Sequence, residues 1–306
     1  MQKQFDVIVI GGGPAGYTAA MYTARSGFST LVIERLGAGG QMNQTTQIDN
    51  YPGFPQGIDG YALGSAMQEG AARFGVQTVY GEVTSVQLTQ SPKRIDTTNG
   101  SFHAKAVILA TGATHKHLGV PMEQTLTGKG VAYCAACDAG FYRGKTVAVV
   151  GGGNSAAADA MVLSRVAKKV YLIHRRDSLR ATKIYHEPLE KAENIEFRWN
   201  CSVLELLGDG KLSGVRLQNT LTGENSDLDL DGLFISIGME PVTRLFQGQV
   251  DLDESGYIVA DESTCTSIPG VFAAGDVRTK KLRQIVTAAA DGAAAAQGVE
   301  EYLVDK

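Results

Sequence analysis

The sequence predicts an α/β protein with two domains, one of them inserted into the other. Two observations lead to this prediction. The order strand, glycine-rich turn, helix and strand occurs twice, and its turns begin at Gly11 and Gly151. A further strand and turn at 271–276 is followed by an alanine-rich helix from about Ile285. The roughly 60 residues of this C-terminal segment are too few for a third such domain, so they are expected to complete the first one.

The two repeated units have matching elements. In the first, apolar and helical spacing predicts strands at 5–10 and 30–34 and a helix at 14–26. In the second, the same patterns occur at 146–150, 170–174 and 154–166. Each unit also has a later apolar strand that ends in glycine, at 107–112 and 234–238. We therefore expect two Rossmann-like, three-layer nucleotide-binding domains, comprising 1–114 with 244–306, and 115–243.

Composition excludes several classes of protein. The 306 residues carry a formal net charge of -4 and no run of lysine or arginine, so nothing indicates binding to nucleic acid or to an anionic membrane. Apolar stretches are shorter than the roughly 20 residues that cross a bilayer, and the N-terminus has no signal-peptide pattern. We expect a cytoplasmic protein, in which the four cysteines are thiols unless chemistry uses them.

The first glycine turn has the pattern of a dinucleotide site. Residues 11–16 (GGGPAG) fit G-x-G-x-x-G between a strand and a helix, where backbone N–H groups and the helix dipole favour a pyrophosphate. Glu34 follows Gly16 by 18 residues, at the end of the next strand, where an acidic residue binds a ribose hydroxyl. A purely structural glycine turn is the alternative.

The second turn points to a different nucleotide. Residues 151–156 (GGGNSA) fit the variant G-x-G-x-x-A, and the position equivalent to Glu34 is His174. Three arginines follow it: Arg175, Arg176 and Arg180. Guanidinium groups pair with a 2′-phosphate, which a carboxylate would repel, so this turn predicts a preference for NADPH over NADH. The alternative is a solvated basic loop.

Cys134 and Cys137 form a C-x-x-C pair shortly before the second unit. A zinc site would need two more ligands, and Cys201 and Cys265 form no second pair of this kind. Two unpaired structural thiols are a further alternative. Redox use is favoured, because C-x-x-C spacing lowers the pKa of one thiol and the thiolate attacks disulfides. Asp138 is placed either to exchange the proton or to cap a helix.

Several stretches together resemble the low-molecular-weight thioredoxin reductases over essentially the full chain. They are GGGPAGYTAA at 11–20, GGQ at 39–41, NYPG at 50–53, ATGA at 110–113, CAACD at 134–138, GGGNSA at 151–156, HRRDSLRA at 174–181, SIPGVFAAGD at 267–276 and RQI at 283–285. The set is highly specific, because it joins both glycine turns to the cysteine pair.

The resemblance implies two cofactors, FAD in the first domain and NADPH in the second. The implied FAD residues are Gly11, Gly13, Pro14, Ala15, Gly16, Glu34, Gly40, Gln41, Asn50, Thr111, Gly112, Gly275, Asp276, Arg283, Gln284 and Ile285. Among these, Asp276 is implied at the ribityl side and Arg283 with Gln284 at the isoalloxazine ring. The implied NADPH residues are Gly151, Gly153, Asn154, Ser155, Ala156, His174, Arg175, Arg176 and Arg180.

The resemblance also implies a reaction. NADPH reduces FAD, FAD reduces the Cys134–Cys137 disulfide, and this pair reduces thioredoxin or a thioredoxin-like protein. Cys137 is implied to face the flavin, Cys134 to attack the protein disulfide, and Asp138 to act as acid and base. Rotation of the inserted domain about its two linkers, and a homodimer, are implied as well. Ferredoxin or another electron donor, and a redox sensor without turnover, remain alternative functions.

One residue departs from the family pattern. The family has glycine after the aspartate of the cysteine motif, whereas this chain has Ala139 followed by Gly140. Alanine disfavours positive φ. The turn behind the cysteine pair is therefore expected to differ in its backbone dihedral angles, although no reacting group is lost.

Overall fold

The structure is a computed structural model, and it describes residues 3–45 and 47–304. The chain forms two compact units, which we call unit 1 and unit 2. Unit 1 comprises Met1–Thr114 and Glu240–Lys306, and unit 2 comprises His115–Met239. Unit 2 is thus an insertion into the sequence of unit 1.

The return to unit 1 lies four residues earlier than the sequence analysis placed it, at 239/240 instead of 243/244. The reason is hydrogen bonding within unit 1. Val242 N–H donates to Gly112 O at 3.0 Å, and Thr243 Oγ1 donates to Gly256 O at 2.8 Å. These bonds assign residues 240–243 to unit 1.

The elements follow the predicted order, and the first repeat lies within a residue or two of its predicted bounds. The strands are β1 (Gln4–Ile10), β2 (Thr30–Glu34), β3 (Gln77–Tyr80), β4 (Val83–Gln87), β5 (Lys93–Thr97), β6 (Gly100–Leu109), β7 (Ala113–His115), β8 (Val131–Ala132), β9 (Thr146–Val150), β10 (Lys169–His174), β11 (Ile195–Trp199), β12 (Cys201–Leu207), β13 (Gly214–Asn219), β14 (Asn225–Asp229), β15 (Gly232–Ile235), β16 (Met239–Pro241) and β17 (Val271–Ala273). The helices are α1 (Pro14–Arg25), α2 (Gly60–Ala72), α3 (Glu123–Leu126), α4 (Ala135–Asp138), α5 (Asn154–Ser164), α6 (His186–Lys191) and α7 (Ile285–Val304). Among the described residues, no helix combines the length and the hydropathy needed to cross a bilayer.

Unit 1 is built on a sheet with the order β3-β2-β1-β6-β5-β4, and β17 also pairs with β6. Strands β1, β2, β3, β6 and β17 run parallel, whereas β5 pairs antiparallel with β4 and β6. Val7, Ile8 and Val9 of β1 alternate between the two faces, and all are fully buried. An uninterrupted apolar strand is the pattern of a parallel sheet that is covered on both faces.

Helices α1 and α7 lie against one face of this sheet and contact each other closely. Their small side chains permit the approach: a Cβ at Gly292 would lie 2.3 Å from Ala15 O. Alanine also has the highest helix propensity, which suits the alanine-rich α7. The start of α1 is fixed by Pro14, whose ring presets a helical φ at the first position.

Unit 2 has three layers. A parallel sheet with the order β11-β10-β9-β15-β8 lies in the middle. Helices α4 and α5 bury one face, with Ala156, Ala160 and Leu163 in the contact. The antiparallel strands β12, β13 and β14 cover the other face through Val215 and Leu217. The order of strand, glycine turn and helix therefore repeats in unit 2 as predicted.

The two chain segments that connect the units pair with each other as strands β7 and β16. Thr114 Oγ1 donates to Glu240 O at 3.4 Å, and Lys116 N–H donates to Gly238 O at 3.0 Å. The outgoing and the returning segments are therefore hydrogen-bonded neighbours.

Candidate functional site

In the first glycine turn, neighbouring backbone atoms occupy the space that a side chain at Gly11 or Gly16 would need. Gly11 has φ of +108°, and a Cβ there would lie 2.3 Å from Ala110 O. A Cβ at Gly16 would lie 1.9 Å from Gly11 O. Beside Gly13 there is open space, because the nearest atom to a Cβ there is Gly39 O at 4.0 Å. The turn is thus a backbone cradle at the start of α1, and a pyrophosphate fits such a cradle.

Glu34 lies beside this cradle. Its Oε2 accepts a hydrogen bond from Gly12 N–H at 2.6 Å, and its Oε1 accepts one from Leu36 N–H at 3.1 Å. Both bonds fix the carboxylate at the end of β2. This is the place from which a carboxylate binds the ribose of a dinucleotide.

Predicted FAD residues that are far apart in the sequence lie together in unit 1. Asn50 Nδ2 donates to Gln284 Oε1 at 2.9 Å, although 234 residues separate them. Gly275, with φ of +80°, lies against the start of α1, since a Cβ there would be 2.9 Å from Ala15 Cβ. The turn after β17 and the first glycine cradle are therefore adjacent.

Asp276 is the residue that most directly indicates a bound group. Its Oδ1 atom is buried and has no hydrogen-bond partner among the described residues. Burial raises the pKa of this carboxyl, while Lys280 and Arg283 act in the opposite direction. Buried polar atoms are normally hydrogen-bonded. A ligand hydroxyl at Oδ1 would satisfy this atom, so the residues fit the ribityl chain of FAD.

The remaining FAD candidates also belong to unit 1. The Arg283 guanidinium lies over the Tyr257 ring, 4.0 Å from its centroid. Thr111 Oγ1 donates to Val242 O at 2.7 Å. A Cβ at Gly40 would lie 3.5 Å from the Gly13 Cα atom. The last members of the set are Pro14, Gln41, Gly112 and Ile285.

The second glycine turn repeats the cradle in unit 2 with a different neighbour. A Cβ at Gly151 would lie 2.3 Å from Ser236 O. The His174 ring covers Gly152, where a Cβ would be 2.2 Å from the ring. His174 is buried, and its Nε2 has no partner among the described residues. Burial and then the neighbouring arginines lower its pKa, so the ring is neutral near pH 7.

The three arginines predicted to bind a 2′-phosphate are exposed around this turn. Arg180 N–H donates to Gly152 O at 2.7 Å, and Asn200 N–H donates to Arg176 O at 3.1 Å. These bonds hold the backbone of the basic segment next to the cradle. At the start of α5, Asn154 Oδ1 accepts from Thr182 N–H at 2.7 Å. The other candidates there are Gly153, Ser155 and Ala156.

Cys134 and Cys137 form a disulfide at the start of α4, with their Cα atoms 5.3 Å apart. The N–H groups of Cys137 and Asp138 both donate to Cys134 O, at 3.2 and 3.1 Å. Both cysteines are partly exposed. Cys201 and Cys265 are free thiols. The two cysteines are therefore bonded to each other. This disulfide disagrees with the alternatives in which they are zinc ligands or unpaired structural thiols.

Asp138 is partly buried beside the second cysteine, and burial raises its pKa to about 6. Such a carboxyl can both gain and lose a proton near neutral pH. Ala139, which follows it, has φ of -55° and ψ of -32°. This right-handed backbone is open to any residue. Alanine thus fits behind the disulfide without strain, and its side chain is buried in the core of unit 2.

The sequence analysis missed a buried carboxylate of unit 2, Glu123. It accepts hydrogen bonds from Leu118 N–H at 3.0 Å, Gly119 N–H at 2.9 Å and Tyr133 Oη at 2.7 Å. Burial raises the pKa of Glu123, but the hydrogen bonds together lower it by more. The net pKa is below the ordinary value for glutamate, so the carboxyl is ionised. Glu123 thus binds the side chain of Tyr133, the residue that precedes Cys134 in the sequence. No motif marks this residue in the sequence.

The chain matches the model of one protein family over most of its length. The family model described as pyridine nucleotide-disulphide oxidoreductase matches residues 5–292. Together with the two glycine cradles and the disulfide, this match assigns the chain to that class of enzyme, whose thioredoxin reductase members use FAD and NADPH.

More specific similarities lie within this class. The thioredoxin reductases of Listeria monocytogenes and Bacillus subtilis are each 46% identical to the chain over 303 residues, covering 99% of it and 95% and 96% of the relatives. A crystal structure of thioredoxin reductase from Streptococcus pyogenes superposes with a TM-score of 0.92 at 45% identity and full coverage of both chains. The chain belongs to the thioredoxin reductase family. The resemblance and the α/β fold with two nucleotide-binding domains, expected from the sequence, are thereby confirmed.

Proposed function

We propose that the protein transfers electrons from NADPH, through FAD, to the disulfide of thioredoxin or a thioredoxin-like protein. The observation that carries this proposal is the Cys134–Cys137 disulfide with Asp138, whose pKa is about 6, directly beside it. The cradle near Asp276 in unit 1 supports FAD, and the exposed arginines in unit 2 support NADPH. The resemblance further implies a cytoplasmic homodimer, which we include in the proposal.

The chain's own residues have three tasks in this reaction. Bound FAD supplies the two-electron chemistry, and the protein supplies binding, orientation and electrostatics. Glu34 and Asp276 are placed to hold hydroxyl groups of the cofactor. The basic segment after His174 is placed to select the phosphorylated nicotinamide dinucleotide.

The exchange with the partner disulfide balances in two displacements. The Cys134 thiolate attacks one sulfur of the partner disulfide, forming a mixed disulfide and releasing the other partner sulfur as a thiolate. The Cys137 thiolate then attacks the Cys134 sulfur, which restores the intramolecular disulfide and releases the second partner sulfur. The partner gains two electrons and two protons. Asp138, with its raised pKa, is placed to hold and return one of those protons.

Anaerobic titration of the holoenzyme tests this function. NADPH is expected to bleach the flavin absorbance, and an oxidised thioredoxin from a panel is expected to restore it. Bleaching by reduced ferredoxin but not by NADPH would show that NADPH is not the electron donor. Bleaching without reoxidation by any thioredoxin would favour the redox-sensor alternative.

Replacing Arg175 and Arg176 with alanine is expected to remove the preference for NADPH. Each guanidinium lost from a phosphate removes a charge-assisted hydrogen bond, so the KM for NADPH should rise about tenfold or more while that for NADH changes little. Steady-state kinetics with both nucleotides give the two values. Arg165→Ala, an exposed arginine elsewhere in unit 2, is the control. An unchanged preference in the double variant would contradict the assigned role.

A further inference from the structure

Trp199, the only tryptophan of the chain, lies against His174, the residue that covers the second glycine turn. The two residues are register partners on the neighbouring parallel strands β10 and β11, so their side chains share one face of the sheet. Their rings meet edge to face, with centroids 6.4 Å apart and planes at 72°. This geometry is a favourable one for two aromatic rings. Since β11 is an edge strand, Trp199 is the outermost neighbour of His174 in this sheet.

The Trp199 ring is itself held by the core of unit 2. Phe197 lies two residues earlier on the same strand and stacks on it, with centroids 4.7 Å apart and planes at 8°. Phe197 in turn packs against the core on the side of α4 and α5. On the far side of His174, a Cβ at Gly152 would lie 2.2 Å from the imidazole. A continuous line of contacts thus runs from the core through these rings to the glycine turn.

The backbone that follows Trp199 holds the basic segment. Asn200 has a left-handed conformation with φ of +53°, and its N–H donates to Arg176 O at 3.1 Å. Asn200 O accepts from Thr220 N–H at 2.7 Å. Thr220 Oγ1 also donates to Arg175 O at 3.3 Å. The end of β11 therefore supports both the imidazole and the backbone of the first two arginines.

The orientation of the His174 ring depends on packing. Its Nε2 is buried and has no hydrogen-bond partner within residues 3–45 and 47–304. The surfaces that the ring contacts are Gly152 on one side and Trp199 on the other. His174 occupies the position that Glu34 has in unit 1, from which the ribose of a dinucleotide is recognised. A displaced ring would therefore alter the place at which a 2′-phosphate is bound.

We propose that Trp199 is a positioning residue for the choice of dinucleotide: it holds His174 over Gly152 and, through Asn200, keeps the basic segment beside the glycine turn. This inference rests on the proposed function, because it concerns the selection of NADPH as the electron donor. Trp199 acts on binding and takes no part in electron transfer. Its loss should therefore raise KM and leave kcat unchanged.

Trp199→Leu in the holoenzyme tests the proposal. Leucine keeps an apolar side chain next to Phe197 but removes the ring that meets His174. The Kd for NADP⁺, measured by calorimetry, and the KM for NADPH should both rise about fivefold. The KM for NADH should change less than twofold, because NADH has no 2′-phosphate, and kcat at saturating NADPH should stay the same. Trp199→Phe keeps an aromatic ring and should bind NADP⁺ within twofold of wild type.

Tyr171→Leu is the matched control. Tyr171 is a partly buried aromatic residue of β10, the strand that also carries His174. Its side chain packs on the opposite face, against the core beneath β12, β13 and β14. A general loss of packing in the sheet would weaken nucleotide binding in both leucine variants. A specific role of Trp199 leaves the Kd for NADP⁺ within twofold of wild type in Tyr171→Leu.

Three results would overturn the proposal: a Kd for NADP⁺ within twofold of wild type in Trp199→Leu, an equal rise in Tyr171→Leu, or equal rises in KM for NADPH and NADH. If Trp199→Leu fails to fold, the emission of Trp199 decides, since it is the only tryptophan. Saturating NADP⁺ should then change the emission of the wild-type holoenzyme, and an unchanged spectrum would overturn the proposal.

The same titration keeps this inference apart from the proposed function. NADP⁺ binding is measured without thioredoxin and without reduction of the flavin. A wild-type holoenzyme that binds no NADP⁺ would refute the proposed donor. Tight binding of NADP⁺ by both the wild type and Trp199→Leu would refute the role of Trp199 alone.

Discussion

Replacing Cys137 with serine is expected to abolish thioredoxin reduction, lowering kcat on the order of 10³-fold or more. Serine forms no disulfide, and its hydroxyl remains protonated where a thiol ionises, so the pair can neither accept electrons as a disulfide nor complete both displacements of the exchange. Cys134→Ser is expected to have an equally large effect. Coupled assays with NADPH and oxidised thioredoxin measure both losses. Flavin reduction by NADPH should persist, because that step does not use the cysteines.

The two variants also distinguish the tasks of the two sulfurs. With Cys137 replaced, the remaining Cys134 thiol should form a stable mixed disulfide with thioredoxin, detectable by mass. With Cys134 replaced, no such adduct should accumulate. The opposite pattern would reverse the proposed assignment. Cys201→Ser and Cys265→Ser, at the free thiols, should behave as wild type.

Replacing Asp291 with alanine is expected to cost about 3–5 kcal/mol of unfolding free energy. Asp291 Oδ1 binds Arg278 Nη2 at 2.7 Å, and its Oδ2 binds Lys280 Nζ at 2.8 Å and Gly275 N–H at 2.9 Å. The side chains of Arg278 and Lys280 are only 3% and 7% exposed. Alanine would leave two buried cations without their counter-charge, and this loss dominates the cost.

The same substitution should weaken FAD retention, because the Gly275 N–H bond holds the turn that precedes Asp276. Urea unfolding of the holoenzyme and the flavin content after gel filtration measure both effects. Glu262→Ala is the matched control: its side chain is 98% exposed and 3.9 Å from Arg278, so it should cost well under about 1 kcal/mol. A similar loss in both variants would show that the buried ion pairs are not the cause.

The pH dependence of this contribution follows from the same contacts. Burial raises the pKa of Asp291, but the hydrogen bonds from Arg278 and Lys280 oppose burial and outweigh it. The net pKa is below the ordinary value of 3.8. Its ionised form is therefore stabilised by folding. The contribution is fully present above pH 3.8 and is lost as the pH falls through the lower pKa of the folded state.

The regular part of the fold could be predicted because it depends on local patterns. Apolar strands of β-branched residues, glycine turns and the proline at the start of α1 act within a few residues, and the structure has these elements close to the predicted bounds. The return from unit 2 was placed four residues too late, since Val242 and Thr243 are bonded to partners in other segments of the chain.

The carboxylates that organise the sites could not be predicted in the same way. Asp159, on α5, accepts a hydrogen bond from Ser236 Oγ, although 77 residues separate the two in the sequence. Glu123 is ordered by a turn that no motif describes. Asp291 did leave a signal, as the one acid within an alanine-rich stretch of α7, but its partners lie in an irregular segment before the helix. Contacts between side chains that are so far apart in the sequence depend on the topology of the fold, and the spacing of residues in a motif does not reveal them.

The difference between Gly12 with Glu34 and Gly152 with His174 has a consequence for a cell in which both dinucleotides are present. The two cradles share a backbone design, so a pyrophosphate alone could not tell one from the other. A carboxylate anchored to one turn should repel a phosphorylated ribose, which the neutral ring and the arginines of the other turn are expected to admit. A single side chain at the end of the second strand of each repeat is thus expected to keep the electron donor from competing with FAD for its site.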